Sequence, residues 1–148
     1  MQFLGNTVRE IAGEKAGIIV PGVPVIYDGN DSDAAEVIAA KAKELGSPAY
    51  KVVQDGAKVL GNNKDGIDFS LKDSYYGNAS FHIPFIAWYQ VMNASLALTA
   101  MEVLKDEIPV TMEQLQAGIR NTRWQGRMET ILPGVIVDGA HNEDGVRR

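Results

Sequence analysis

The sequence predicts an α/β protein: a parallel sheet with helices, joined to a small antiparallel hairpin region. Three observations carry that reading. Apolar residues recur at helical spacing in four stretches, near residues 7–16, 33–45, 87–105 and 111–119. A strand, a helix and a second strand follow one another between Val23 and Val53, the order of a βαβ unit. Between Lys58 and Ile83 short alternating runs are cut by Gly61-Asn62-Asn63, Asp65-Gly66 and Gly77-Asn78, which is hairpin punctuation.

The first helix opens on Thr7-Val8-Arg9-Glu10, a capping box in which the Thr7 hydroxyl and the Glu10 carboxylate each accept from the other's backbone N–H. Val8, Ile11, Ala12, Lys15 and Ala16 then share one face, and Gly17 is placed to supply a left-handed C-terminal cap. Pro21-Gly22 suits a type II turn. Val23-Pro24-Val25-Ile26 reads as a strand with the proline at its start or on an edge. Asp33 to Leu45 is the next helix, with Gly46 as its stop, and Tyr50 to Val53 the next strand. After the hairpins comes a long helix from about Ala87 to Lys105. Thr111-x-x-Gln114 is a second capping box, opening a short helix with Met112, Leu115 and Ile119 turned inward. Arg120 to Gly126 is polar and linker-like. Met128 to Leu132, Pro133-Gly134 and Val135 to Val137 make a last hairpin-like pair, with Val135–Val137 read as a buried strand that delivers Asp138 to its mouth.

Composition narrows the function. With 148 residues, 45% hydrophobic and 22% charged, the chain has enough apolar surface for one ordinary domain. The net charge is −5 and no Lys/Arg run forms a basic stripe, so neither nucleic acid nor an anionic membrane is an expected partner. No apolar run is long enough to span a bilayer. The absence of cysteine removes thiolate chemistry and disulfides, and fits a cytoplasmic location.

Several residues offer chemistry, each beside a plainer alternative. Lys15 lies on the apolar stripe of its helix, where an ammonium is costly unless paired or modified; the alternative is a last-turn lysine favoured by the helix dipole. Asp138 ends a strand, where open α/β sheets bind ligands, and His141 follows in the same turn; the alternative is a polar turn that caps a helix. Arg127, one short hairpin earlier, is suited to phosphate or is simply on the surface. Asn93 interrupts a helix that does not favour asparagine; its amide matches a nucleobase edge, or merely faces solvent. A metal site built from His82, His141 and Asp138 has no ligand spacing to support it, and His82, in "SFHIPF", reads as a core or edge histidine.

The stretches "FLGNTVREIAGEKAGIIVPGVPVI", "YQVMNASLAL", "RWQGRMETI" and "VIVDGAHNEDGVR" together resemble, in order and approximate spacing, the folylpolyglutamate and dihydrofolate synthases of the Mur ligase superfamily. The resemblance implies a partial central ATPase domain over residues 1–122, then a linker and the first strands of a Rossmann-like C-terminal glutamate-ligase domain over 123–148. It implies a ligase of folate biosynthesis and one-carbon metabolism. Such an enzyme joins L-glutamate to folate or dihydropteroate, using ATP to form an acyl phosphate. By the same resemblance Lys15 corresponds to a carbamylated lysine that helps hold Mg2+, Asn93 to an adenine contact, Arg127 to a phosphate contact, Asp138 to a ribose contact and His141 to its neighbour in the nucleotide site.

Two departures stand out. Glu143 replaces the proline usual in the family's D-G-A-H-N-P-D-G motif. The sequence also has no Gly-rich loop ending in Gly-Lys-Ser/Thr to cradle phosphates. The expectation is therefore an internal piece of a ligase, inert by itself, with sheet edges that favour self-association. The alternatives are a non-catalytic nucleotide-binding or interaction module, and a piece of a Mur-type peptidoglycan ligase.

Overall fold

The computed structural model describes residues 7–126 and 129–139. In chain order the elements are α1 (Val8–Ala16), β1 (Val25–Asp28), α2 (Ser32–Glu44), β2 (Ala49–Val52), a 3-10 turn (Gln54–Gly56), β3 (Ala57–Asn63), β4 (Gly66–Leu71), β5 (Ser80–Ile83), α3 (Tyr89–Val103), α4 (Met112–Arg120), β6 (Glu129–Leu132) and β7 (Val135–Val137). The mixed α/β class is as the sequence predicts. The chain forms two compact units, one from the residues up to Gln54 with Leu96–Ile108, the other from Asp55–Ser95 with the residues from Pro109 onward.

The first unit contains the βαβ element. β1 and β2 pair in parallel, from Val25↔Ala49 to Asp28↔Val52, and the crossover helix α2 packs on both strands. The Asp31 carboxylate caps α2 by accepting from the Ala34 N–H at 2.9 Å. Gly46, at φ +65, provides the left-handed exit that stops the helix. Helix α1 lies against α2 and buries only Ala12 and Ala16. α2 buries only Ala35 and Ala42, and such small side chains allow close helix approach.

Both halves of the Thr7/Glu10 capping box are formed. The Pro21-Gly22 turn closes with the Val23 N–H donating to the Val20 carbonyl at 3.1 Å, with Gly22 at φ +75, the sign a type II turn requires. Gly17 departs from expectation: it is right-handed, φ −60 and ψ −18. The last carbonyls of α1 are met instead by a tightened turn, in which Ile18 N–H donates to Lys15 and Ile19 N–H to Ala16, so no left-handed residue is needed.

The second unit is built on the antiparallel sheet β3-β4-β5. Ile67, Phe69 and Leu71 of β4, and Phe81 and Ile83 of β5, are buried; their period of two puts them on one face. The Phe69 and Phe81 rings sit 5.9 Å apart, and Tyr76 meets Phe81 edge-on at 5.6 Å. Gly61-Asn62 does not break the chain as expected. Both residues stay in β3, with the register shifting between Val59 and Gly61, because a glycine accommodates a bulge and pairing then resumes. The hairpin turns at Lys64-Asp65, where the Asp65 N–H donates to the Asn63 side chain at 2.8 Å.

Helix α4 packs on β5, and Gln116 Nε2 donates to the Ser80 carbonyl at 2.9 Å. Its Thr111/Gln114 capping box is complete, and Met112, Leu115 and Ile119 are half-buried. β6 and β7 form an antiparallel ribbon turned by Pro133-Gly134, with Gly134 at φ +77. Here the sequence reading is corrected. Val135, Ile136 and Val137 are 42%, 50% and 39% exposed, not buried. Their side chains alternate between the two faces of a ribbon only two strands wide, and such a ribbon cannot cover both of its own faces.

Candidate nucleotide site

The residues singled out from sequence fall into both units. Lys15 is in the first, while Asn93 and Asp138 are in the second. Arg127 and His141 lie outside the described residues.

Lys15 sits in the last turn of α1 and is exposed, which fits the last-turn lysine, the plainer of the two alternatives its place on the apolar stripe left open. The stripe is split. Ala12 and Ala16 turn toward α2, while Val8 and Ile11, 46% and 39% exposed, stand at i−7 and i−4 from Lys15 on the solvent side. The cause is the clamp on the other face of the helix. Arg9 Nη1 donates to Asp33 Oδ1 at 2.8 Å and to Glu36 Oε2 at 2.9 Å, both on α2. The hydrogen bond to Glu36, then that to Asp33, holds the Arg9 guanidinium above its usual pKa. With Arg9 turned to α2, residues six positions on point elsewhere. A shallow groove of about 630 Å³ runs along this junction, lined by Arg9, Gly13, Val37 and Ala40 among others, and Lys15 takes no part in it.

Asn93 is exposed on α3 between buried Met92 and Ala94. Its Nδ2 donates to Gln90 Oε1 at 2.9 Å. Gln90, three residues earlier on the same helical face, thus orients the amide; the sequence reading overlooked it, although i,i+3 spacing is the signal that finds such pairs. The buried Ser95 hydroxyl on the same helix is satisfied locally, donating to the Val91 carbonyl at 2.8 Å.

Asp138 is half-buried and directly follows β7. The next residue, Gly139, donates its N–H to the Gly126 carbonyl at 2.6 Å. Gly126 N–H in turn donates to Glu129 Oε2 at 2.8 Å. The ribbon therefore closes on itself at its base, and the "RWQG" and "DG" stretches become backbone neighbours. Gly139 suits that meeting, since a Cβ there would stand 3.3 Å from the Gly126 oxygen.

His82 is an edge-strand residue with a defined partner. It faces Asp68 across the β4–β5 ladder, Nδ1 to Oδ1 2.8 Å. The hairpin register would have paired them, but the sequence reading did not set that register.

These donor sets suit different groups to different degrees. An exposed, oriented carboxamide and a half-buried carboxylate at a strand end fit the edge of a base and the hydroxyls of a sugar. Among the described residues no three His, Cys, Asp or Glu side chains converge, and Lys15 is exposed. Among the described residues no helix is long and apolar enough to cross a membrane.

No protein-family model matches the sequence. The chain is 34% identical over 154 residues to the dihydrofolate synthase/folylpolyglutamate synthase of Bacillus subtilis, covering 100% of this chain and 36% of that protein. It is 33% identical over 153 residues to the folylpolyglutamate synthase of Lacticaseibacillus casei, covering 98% of this chain and 35% of that protein. A solved FPGS–AMPPCP–folate complex superimposes with a TM-score of 0.84 at 29% identity, over 99% of this chain and 37% of that one. The chain spans about a third of the length of the curated relatives it matches. Over its entire length it is thus a homologue of a stretch equal to about a third of the folylpolyglutamate and dihydrofolate synthases.

Proposed function

We propose that this chain forms part of an ATP-dependent ligase that adds L-glutamate to folate or dihydropteroate, and that it supplies the base and sugar corner of the nucleotide site. The observation that carries the reading is the closure of the β6–β7 ribbon, with Gly139 N–H on the Gly126 carbonyl. It brings the backbone at Gly126 beside the stretch that carries Asp138, which suits a shared nucleotide site. Homology to synthases over the whole chain, and the AMPPCP and folate in a structural neighbour, support the same ligands here.

The chemistry follows from the electrophile. A carboxylate resists attack by an amine. In the proposed reaction its oxygen attacks the γ-phosphorus of ATP, ADP leaves, and an acyl phosphate remains. The glutamate nitrogen then attacks the carbonyl carbon, inorganic phosphate departs and the amine gives up a proton. The chain's own contribution is positioning. Asn93, held by Gln90, reads the adenine edge. Asp138 accepts from ribose hydroxyls; by resemblance Arg127 contacts the phosphates and His141 neighbours Asp138 in the nucleotide site. Residues 123–148 begin the C-terminal glutamate-ligase domain, and residues 1–122 belong to the ATPase domain. Lys15, exposed in the last turn of α1, would on carbamylation offer a carboxylate to magnesium, whose charge would offset the crowding of phosphates and carboxylate.

Two measurements test this. In a 15N-labelled sample titrated with AMPPCP, chemical-shift changes should concentrate at Asn93 and at the Gly126–Gly139 corner. Changes confined to other surfaces, or none at millimolar nucleotide, would overturn the assignment. Incubated with ATP, magnesium, dihydropteroate or folate, and glutamate, the chain should release no ADP above a buffer blank, because its sequence holds no Gly-x-x-x-x-Gly-Lys-Ser/Thr phosphate loop. ADP release above that blank would show that these residues suffice for turnover.

A further inference from the structure

We draw no further inference here: the strongest candidate, the uncovered outer face of α1 where Val8 and Ile11 flank Lys15, is an unpartnered apolar face, and nothing in the structure shows what covers it.

Discussion

Two antiparallel strand pairs in the second unit start from similar sequence and end in opposite environments. β4 and β5 carry Ile67, Phe69, Leu71, Phe81 and Ile83, all buried. β6 and β7 carry Ile131, Leu132, Val135, Ile136 and Val137, all exposed. Both pairs are rich in apolar strand formers, although residues 72–79 join β4 to β5 where only Pro133-Gly134 joins β6 to β7. What decides burial is cover. The β4–β5 sheet has a third strand on one side and α4 packed on β5, so one face becomes core and the other stays polar. The β6–β7 ribbon holds its shape through its own ladder and the Gly126–Gly139 clasp. Pairing is thus a local property that hydrogen bonds and a turn can secure, whereas burial depends on what else is present to pack.

The contrast predicts unequal costs for equal cuts. Phe69→Ala removes a ring that is 0% exposed and packed at a tilt 5.9 Å from the Phe81 ring, and should cost about 3–5 kcal/mol in a urea or thermal unfolding experiment. A loss under about 1 kcal/mol would mean that the sheet interior is loosely packed and that the two pairs are alike after all.

Glycine substitutions separate the pairs next. Gly66 opens β4 at φ +142, and an added Cβ would collide with the Ile83 carbonyl oxygen and press on the His82 ring. Gly66→Ala should cost about 2–4 kcal/mol through backbone strain and overpacking together. It should also disturb the Asp68–His82 pair, visible as a shift of the His82 ring signals. Gly134, in the β6–β7 turn at φ +77, has nothing within 4 Å of such a Cβ, so Gly134→Ala meets only the left-handed strain of about 1 kcal/mol. Equal losses at the two sites would sink the claim that close packing is confined to the β4–β5 side.

The same division explains what could be read from the sequence. The Thr7/Glu10 and Thr111/Gln114 boxes, the Pro21-Gly22 turn and the Gly46 stop were legible because each is settled within four residues of chain. The parallel pairing of β1 with β2 was legible from the order of elements. Val135–Val137 was misread as buried, and the apolar stripe of α1 was read as one face although it is split, because an apolar residue announces a preference and not a neighbour. Gly61 was misread as a break because a bulge and a turn use the same residue. For the site, motif order led to the synthases, while the reading that Arg127 faces the same cleft as Asp138 falls on a residue outside the described ones. Gln90 and Asp68 were missed because their roles depend on helix face and strand register, which the sequence reading did not set at those positions.

The smallest expected effect is the sharpest probe of the ribbon. Ile136 is central in β7, 50% exposed and paired with Thr130. A lysine there can lay its methylenes along the ribbon and keep its ammonium in water, while the β7 backbone ladder is unchanged. Ile136→Lys should therefore alter unfolding free energy by no more than about 0.5 kcal/mol, as for other surface changes away from packed sites. Amide exchange at Gly139, which reports the clasp on Gly126, should stay as slow as in the unsubstituted chain. A loss approaching that of Phe69→Ala would mean that something covers this face in solution. Because a charge buried without a partner is costly, the size of that loss would measure how completely the face is covered, and the ribbon would then belong with β4 and β5 rather than opposite them.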